Sequence, residues 1–289
     1  MKNIIDAICS IVESSNFKIH AYYQARNRAN AMGEALENYV KDVFAGTFGE
    51  EDTANRERIW SEVYSYAGNQ NNPPDIMIKG GDAIEVKKVE SYSSTLALNS
   101  SYPKDKLYSD NPMITETCKS CEEWSVKDMI YVIGVVESST NSLKTLAMVY
   151  GTDYCADKAT YEKVQSIIKG GINSIPDVEF GETRELGRIN RVDPLGITSL
   201  RVRGMWQIEN PLKVFKSHFQ RGNDDFALMV IINDEKFNQF ENVDRLYKLA
   251  QENTNLVIKD IAIKNPNNTV KLISAKLITY RYNEDNKSI

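Results

Sequence analysis

A mixed α/β fold, with a central mixed β-sheet flanked by helices, is what this sequence predicts. Three observations carry that expectation. Apolar residues recur at helical spacing near the start of the chain, whereas residues 129–136 and 226–232 are almost unbroken apolar runs, as in strands covered on both faces. Helical and strand-like patterns alternate irregularly, which favours a mixed sheet over an all-parallel one. The 289 residues, 26% of them charged, suffice for one large core, so the chain reads as a single domain over 1–289 with elaborations.

The elements follow in order. Ile4, Ile5, Ala7, Ile8, Ile11 and Val12 repeat with the period of a helix. A second helix is expected over about 29–45, with Met32, Leu36, Tyr39, Val40 and Val43 on one face and Gly46 as its stop. Residues 50–58 are polar, 63–66 suggest a short strand, and 69–74 form a turn-rich approach to a hairpin spanning Asp75 to Lys87. Residues 129–136 make a central strand, and 145–150 return antiparallel beside it, so the sheet has at least four strands. Beyond lie a buried strand over 226–232, a helix over 236–251, and a strand pair over 255–263 and 270–282 with a turn at 265–268. There is no internal repeat and no low-complexity tract.

Composition excludes several classes. Asp6 interrupts the apolar run that a signal peptide needs, and no stretch approaches 18 consecutive apolar residues, so a cytoplasmic protein with no membrane association is expected. Cys9, Cys118, Cys121 and Cys155 are too few and too scattered for a disulfide framework. Cys118 and Cys121 have the spacing of half a zinc signature, but no second pair follows. His20 and His218 are the only histidines, which argues against histidine-based hydrolysis, and no glycine-rich phosphate-binding loop is present. A net charge of −5 means that any polyanion must be met by a local basic surface.

The hairpin concentrates the chemistry. Glu85 and Lys87 are two apart, so in a strand they share one face while Ile84 and Val86 share the other. Whether Asp75 reaches the same face depends on the turn. A two-residue Gly80-Gly81 loop would set it opposite Val86, whereas a three-residue loop, Gly80-Gly81-Asp82, sets it opposite Lys87, so an odd-length turn or a bulge is expected. Asp75, Glu85 and the Val86 carbonyl are then the hard oxygen ligands that Mg²⁺ prefers, and Lys87 can orient a water and stabilise charge at a phosphate. A solvated hairpin that carries charge is the plainer alternative. Glu37, about 100° round the helix from Leu36, can turn toward the sheet, while Glu34 at about 160° faces away. For Glu37 an ordinary surface glutamate is the plainer alternative.

A DNA-contacting surface is suggested downstream. Between residues 184 and 221 there are eight basic residues against three acids, in a chain that is acidic overall. Arg184, Arg188, Arg191, Arg201 and Arg203 can supply guanidinium forks to guanines, and Asp193 can accept from cytosine or hold an arginine. Residues 188–196 suggest a loop, and Arg201 and Arg203 alternate on one strand face. Ordinary surface ion pairs are the alternative here. Lys88, Lys104 and Lys106 lie closer to the hairpin and suit phosphate contacts that position a duplex without reading it.

These motifs resemble the PD-(D/E)XK nuclease superfamily and, within it, the NgoPII-type type II restriction endonucleases. The resemblance is carried by residues 27–42 (NRANAMGEALENYVKD), 68–75 (GNQNNPPD), 80–88 (GGDAIEVKK), 96–103 (LALNSSYP), 126–135 (VKDMIYVIGV), 190–198 (NRVDPLGIT) and 200–206 (LRVRGMW). It implies a restriction-endonuclease-like core, with the catalytic part over 29–150 and the recognition region over 180–221. It also implies a Mg²⁺-dependent homodimer that cuts double-stranded DNA at a short palindrome, GGCC, alongside a cognate DNA methyltransferase. Asp75 and Glu85 become metal ligands, Lys87 the catalytic lysine and Glu37 the helix acid. The alternatives are a repair nuclease of the same fold that nicks one strand, and a DNA-binding protein without catalysis.

Overall fold

The computed structural model describes residues 1–25, 31–69, 72–137, 139–140 and 142–284. Helix α1 (Ile4–Ser14) starts at a capping box: the Asn3 side chain accepts from the Ile5 N–H, and the Asp6 carboxylate accepts from the Asn3 N–H. Its apolar stripe is fully buried. After α2 (Ile19–Gln24), helix α3 (Met32–Ala45) ends at Gly46, whose φ of 77° is the left-handed conformation that a glycine stop supplies. The expected start near Ala29 lies outside the described residues.

Helix α4 (Thr53–Val63), capped by Asp52, occupies the polar stretch for which the sequence suggests no element. Arg56 is its one buried residue among those described, and the three apolar residues it rests half-buried on the core, Ile59, Trp60 and Val63, all fall in its second half, so its first half carries no apolar period.

The chain then forms β1 (Tyr64–Asn69), β2 (Asn72–Ile78), β3 (Ala83–Val89), β4 (Leu96–Ala97), β5 (Lys106–Tyr108), α5 (Glu116–Ser120), β6 (Val126–Glu137) and β7 (Ser142–Tyr150). A middle section follows: α6 (Gly151–Tyr154), α7 (Lys158–Asn173), β8 (Glu179–Phe180), β9 (Gly187–Asn190), β10 (Leu200–Val202), β11 (Gln207–Ile208) and α8 (Pro211–Val214). The chain closes with β12 (Phe226–Asn233), α9 (Asp234–Phe237), α10 (Val243–Glu252), β13 (Leu256–Asn265) and β14 (Asn268–Tyr282). The expected helix over 236–251 is two helices. Lys236 is drawn to Asp82 and Asp128, and Asn242 is bonded to Asn3 and Asp6, which turns the chain between them.

Among the described residues, nine strands form one sheet in the order β1-β2-β3-β6-β7-β12-β14-β13, with β5 also paired to β6. It is mixed: β3 runs parallel to β6 and β7 parallel to β12, while the other pairs are antiparallel. Strand β6 shows why the central run is apolar throughout. Ile130 and Val132 enter the core under α1 and α3, and Met129, Tyr131 and Ile133 enter a second core on the opposite face.

The middle section adds a three-stranded sheet, β10-β9-β8, and a β11–β4 pair. That pair, with the Leu98 N–H on the Trp206 carbonyl and the Trp206 N–H on the Asn99 carbonyl, fastens the basic segment beside residues 96–99. No helix among the described residues is long and apolar enough to cross a membrane.

Candidate active site

The β2–β3 hairpin sets the geometry. Ile76 pairs with Ile84 and Met77 with Ala83, and the Ile78 N–H donates to the Asp82 carbonyl. The loop is therefore three residues long, as parity requires, but it is Lys79-Gly80-Gly81, one residue earlier than expected. Continuing that register puts Asp75 level with Glu85 rather than Lys87. Asp82 cannot serve as a loop tip because its buried carboxylate accepts from Tyr150 Oη at 2.7 Å and Lys236 Nζ at 2.8 Å. Gly80 supplies the positive φ, 68°.

Asp75, Glu85 and Lys87 share the face that carries Met77 and Tyr131, while Ile84 and Val86 pack under α3. The Asp75 Oδ2 accepts from the Val86 N–H at 2.6 Å, and Lys87 Nζ lies 2.6 Å from Glu85 Oε1. The N–H and C=O of one strand residue point to the same side, so the Val86 carbonyl faces the same gap as Asp75.

Burial, and then the neighbouring Glu85 carboxylate, push the Asp75 carboxyl up to about 7. Burial works against the Lys87 ammonium, but Glu85 and Asp75 outweigh it and hold its pKa above the usual value. Glu37 on α3 acts weakly on both groups at a distance but does not line the cleft they share, and Glu34 is exposed.

A divalent cation fits these residues. Glu85 Oε2 is buried with no hydrogen-bond partner, and two carboxylates crowd each other enough to raise the Asp75 pKa. Among the described residues no three His, Cys, Asp or Glu side chains converge on one point, so the oxygen donors available here are two carboxylates and a backbone carbonyl.

Asp75, Glu85 and Lys87 line a cleft of about 330 Å³ together with Ser101, Tyr102, Lys104, Tyr131, Glu185 and Arg203. The last two belong to the distant basic region. Glu185 accepts from Arg201 Nε at 3.1 Å and Nη2 at 3.0 Å, and pairs with Arg203 Nε at 2.8 Å. In the sequence Glu185 stands only as one acid among arginines, and nothing in its spacing marks it as their organiser.

The other basic residues are distributed differently. Arg184 and Arg188 are exposed, the latter bonded to Asn190 at 3.1 Å. Arg188 lies in β9 rather than in a loop, and Arg191, at φ 49°, begins the loop that follows and pairs with Glu179 at 3.5 Å. Asp193 accepts from the Leu195 and Thr198 N–H groups in an Asx turn, and the Thr198 side chain, followed by these backbone groups, holds its carboxyl below the usual range, so it shapes this loop. Lys88 is exposed and paired with Glu90, and Lys106 lies 3.6 Å from Asp128. Lys104 is buried in the cleft wall. Of the cysteine pair, Cys118 lies in the core against the Met77 sulfur, and Cys121 donates to the Cys118 carbonyl.

Comparison with known proteins bears on this cleft. A family model described as "NgoPII restriction endonuclease" matches residues 2–264. The chain is 53% identical over 279 residues to "Type II restriction enzyme NgoPII" of Neisseria gonorrhoeae, covering 96% of this chain and 99% of that protein. No solved structure matches.

Proposed function

The chain belongs to the NgoPII restriction endonuclease family and is a type II site-specific deoxyribonuclease, and from that premise we propose that it cuts both strands of double-stranded DNA at GGCC with Mg²⁺. The observation that carries the metal reading is the buried, unpartnered Glu85 Oε2 beside Asp75. Asp75, Glu85 and the Val86 carbonyl hold the cation. When bound there, Mg²⁺ lowers the pKa of a water and neutralises charge on the phosphate. Lys87, held by Glu85, orients the attacking water and stabilises the charge that develops on the phosphate. Glu37 adds negative potential from the helix side.

Residues 29–150 are the catalytic core in this reading, and 180–221 the recognition region. Glu185 and Arg203 join the two at the cleft. Lys88, Lys104 and Lys106 contact phosphates, and the arginines at 184, 188, 191, 201 and 203 read bases or flank them. A palindrome presents two identical half-sites, so a two-fold homodimer brings one cleft to each strand. The enzyme acts in the cytoplasm, where a cognate methyltransferase protects the host's own sites.

Plasmid incubated with the purified protein and Mg²⁺ gives discrete fragments whose sequenced ends lie within GGCC. Nicked circles, or fragments ending elsewhere, reject the reading. Lys87→Ala abolishes cleavage while retaining binding to a GGCC duplex. If it cuts at the wild-type rate, Lys87 does not have this role.

A further inference from the structure

Lys104 is a buried cation that forms no ion pair among the described residues; the Glu85 carboxylate acts on it only at longer range. It is 4% exposed, and among the described residues no carboxylate pairs with its ammonium. Its partners are neutral: the Ser101 hydroxyl and the Tyr102 carbonyl, the latter at 3.2 Å, with the Tyr102 ring centroid 5.3 Å away. Charges are rarely buried without an opposite charge, because desolvation then goes uncompensated.

Other enclosed lysines of this chain follow that rule. Lys127 has Glu122 at 2.7 Å, and Lys236 has Asp82 at 2.8 Å and Asp128 at 2.7 Å. The difference shows in the titration: burial lowers Lys104 to about 8, whereas the carboxylates around Lys236 raise its pKa despite burial. Lys88 and Lys106, the other lysines near the hairpin, are also paired with acids.

The fold fixes this lysine in place. The Lys104 N–H donates to Tyr131 Oη at 2.7 Å, and Tyr131 is the register partner of Glu85 on the neighbouring strand. On the other side, a Cβ at Gly151 would come within 2.3 Å of the Lys104 carbonyl, so that glycine lets α6 press the segment down. The ammonium is thus lodged in the wall of the cleft that holds Asp75, Glu85 and Lys87.

We propose that the missing counter-ion of Lys104 is the scissile phosphate of bound DNA, which makes this buried lysine a second catalytic cation beside Lys87. The proposal rests on the metal-dependent nuclease reading and goes beyond it: Lys104 serves the bond that is cut, not the flanking backbone. The cleft then holds a cation site at Asp75 and Glu85 and an anion site at Lys104, and a phosphate with its metal satisfies both.

The test is a coupling measurement on full-length protein with Ca²⁺, a larger oxygen-binding cation, in place of Mg²⁺. Binding is compared for GGCC duplexes in which a neutral methylphosphonate replaces each backbone phosphate in turn, using wild type and Lys104→Met. Wild type loses roughly ten- to hundredfold in affinity when the scissile phosphate is neutralised, the range of a hydrogen bond between charged groups. Lys104→Met binds natural DNA more weakly, and neutralising the scissile phosphate costs it several-fold less than it costs wild type, while Lys87 and the cation still account for the remainder.

Coupling at a flanking phosphate, or equal losses of affinity by the variant on all duplexes, overturns the proposal. A second readout needs no DNA: removing an uncompensated charge leaves the free protein melting no lower than wild type. A clear fall in melting temperature means that the neutral partners satisfy Lys104, and also overturns it. Failure of the parent reading looks different, since wild type then does not cut at GGCC at all.

Discussion

Asp42 and Arg56 face each other in the interior, with Arg56 Nε 2.7 Å and Nη2 3.0 Å from the carboxylate. Tyr23 Oη at 2.6 Å and Thr47 Oγ1 at 2.5 Å complete the acid's partners, and the guanidinium lies 3.8 Å from the Trp60 ring centroid. Removing one member leaves the other charged and buried, so Asp42→Ala is expected to lower stability by about 3–5 kcal/mol in urea titration. At the recognition surface, Arg203→Ala should relax discrimination between GGCC and single-mismatch sites by about 1–3 kcal/mol if it reads a base. A uniform loss over all sequences in the same binding assay would instead mark a phosphate contact. The sequence reveals Asp75, Glu85 and Lys87 because strand parity governs them, and the side of α3 that carries Glu37 because helix angle does. It does not reveal the pairing of Glu185 with Arg201 and Arg203, which needs the β9–β10 register, or the burial of Lys104, which needs the packing of its segment against Tyr131 and Gly151.

Helix α3 lies close against the sheet because β6 carries a glycine where they cross. A Cβ at Gly134 would meet Leu36 side-chain carbons at 2.6 and 2.9 Å and a Leu143 carbon at 3.1 Å, and Leu36 is fully buried. Gly134→Val therefore has to push the helix outward or distort its neighbours, at a cost of about 1–3 kcal/mol. Glu37 follows Leu36 in the chain, so cleavage rate should fall along with melting temperature. The variant's activity, measured well below its melting point, checks this link. Elements with an apolar period were readable: α1, α3 from Met32 to Gly46, β6, β7, β12 and the β13–β14 pair. Two helices were not read. Helix α4 has a single buried residue among those described, and α7 has none: its apolar positions Tyr161, Val164, Ile168 and Ile172 keep helical spacing, but the core does not bury them.

At the scale of the whole molecule, Asp153 ties the start of the middle section to the end of β12. Its carboxylate accepts from the Asn233 N–H at 3.0 Å and from Asn233 Nδ2 at 2.7 Å. Burial outweighs these bonds and raises the carboxyl to about 6. The native protein thus holds a proton that the unfolded chain, with an aspartate pKa of about 3.9, has already lost. Stability contributed by this group falls as pH rises from about 4 to 6 and is flat above that, by about 3 kcal/mol at most. Asp153→Asn should flatten that part of a urea-denaturation series across the same window. An unchanged slope would place the proton elsewhere.

Helix α1 meets α10 through Asn3 and Asn242, whose side chains hydrogen-bond at 2.9 Å over 239 residues, and through Arg245 paired with Asp6 and Glu13. One consequence concerns timing during synthesis. At about 5–20 residues per second, the first helix leaves the ribosome on the order of tens of seconds before its partner does, and until then one side of its apolar stripe has nothing to settle against. The hairpin that carries Asp75 and Glu85 closes over a three-residue loop and can form early. Translation therefore separates the birth of the proposed metal ligands from completion of the body that holds them, and a chain stalled before β12 carries them on an unfinished sheet.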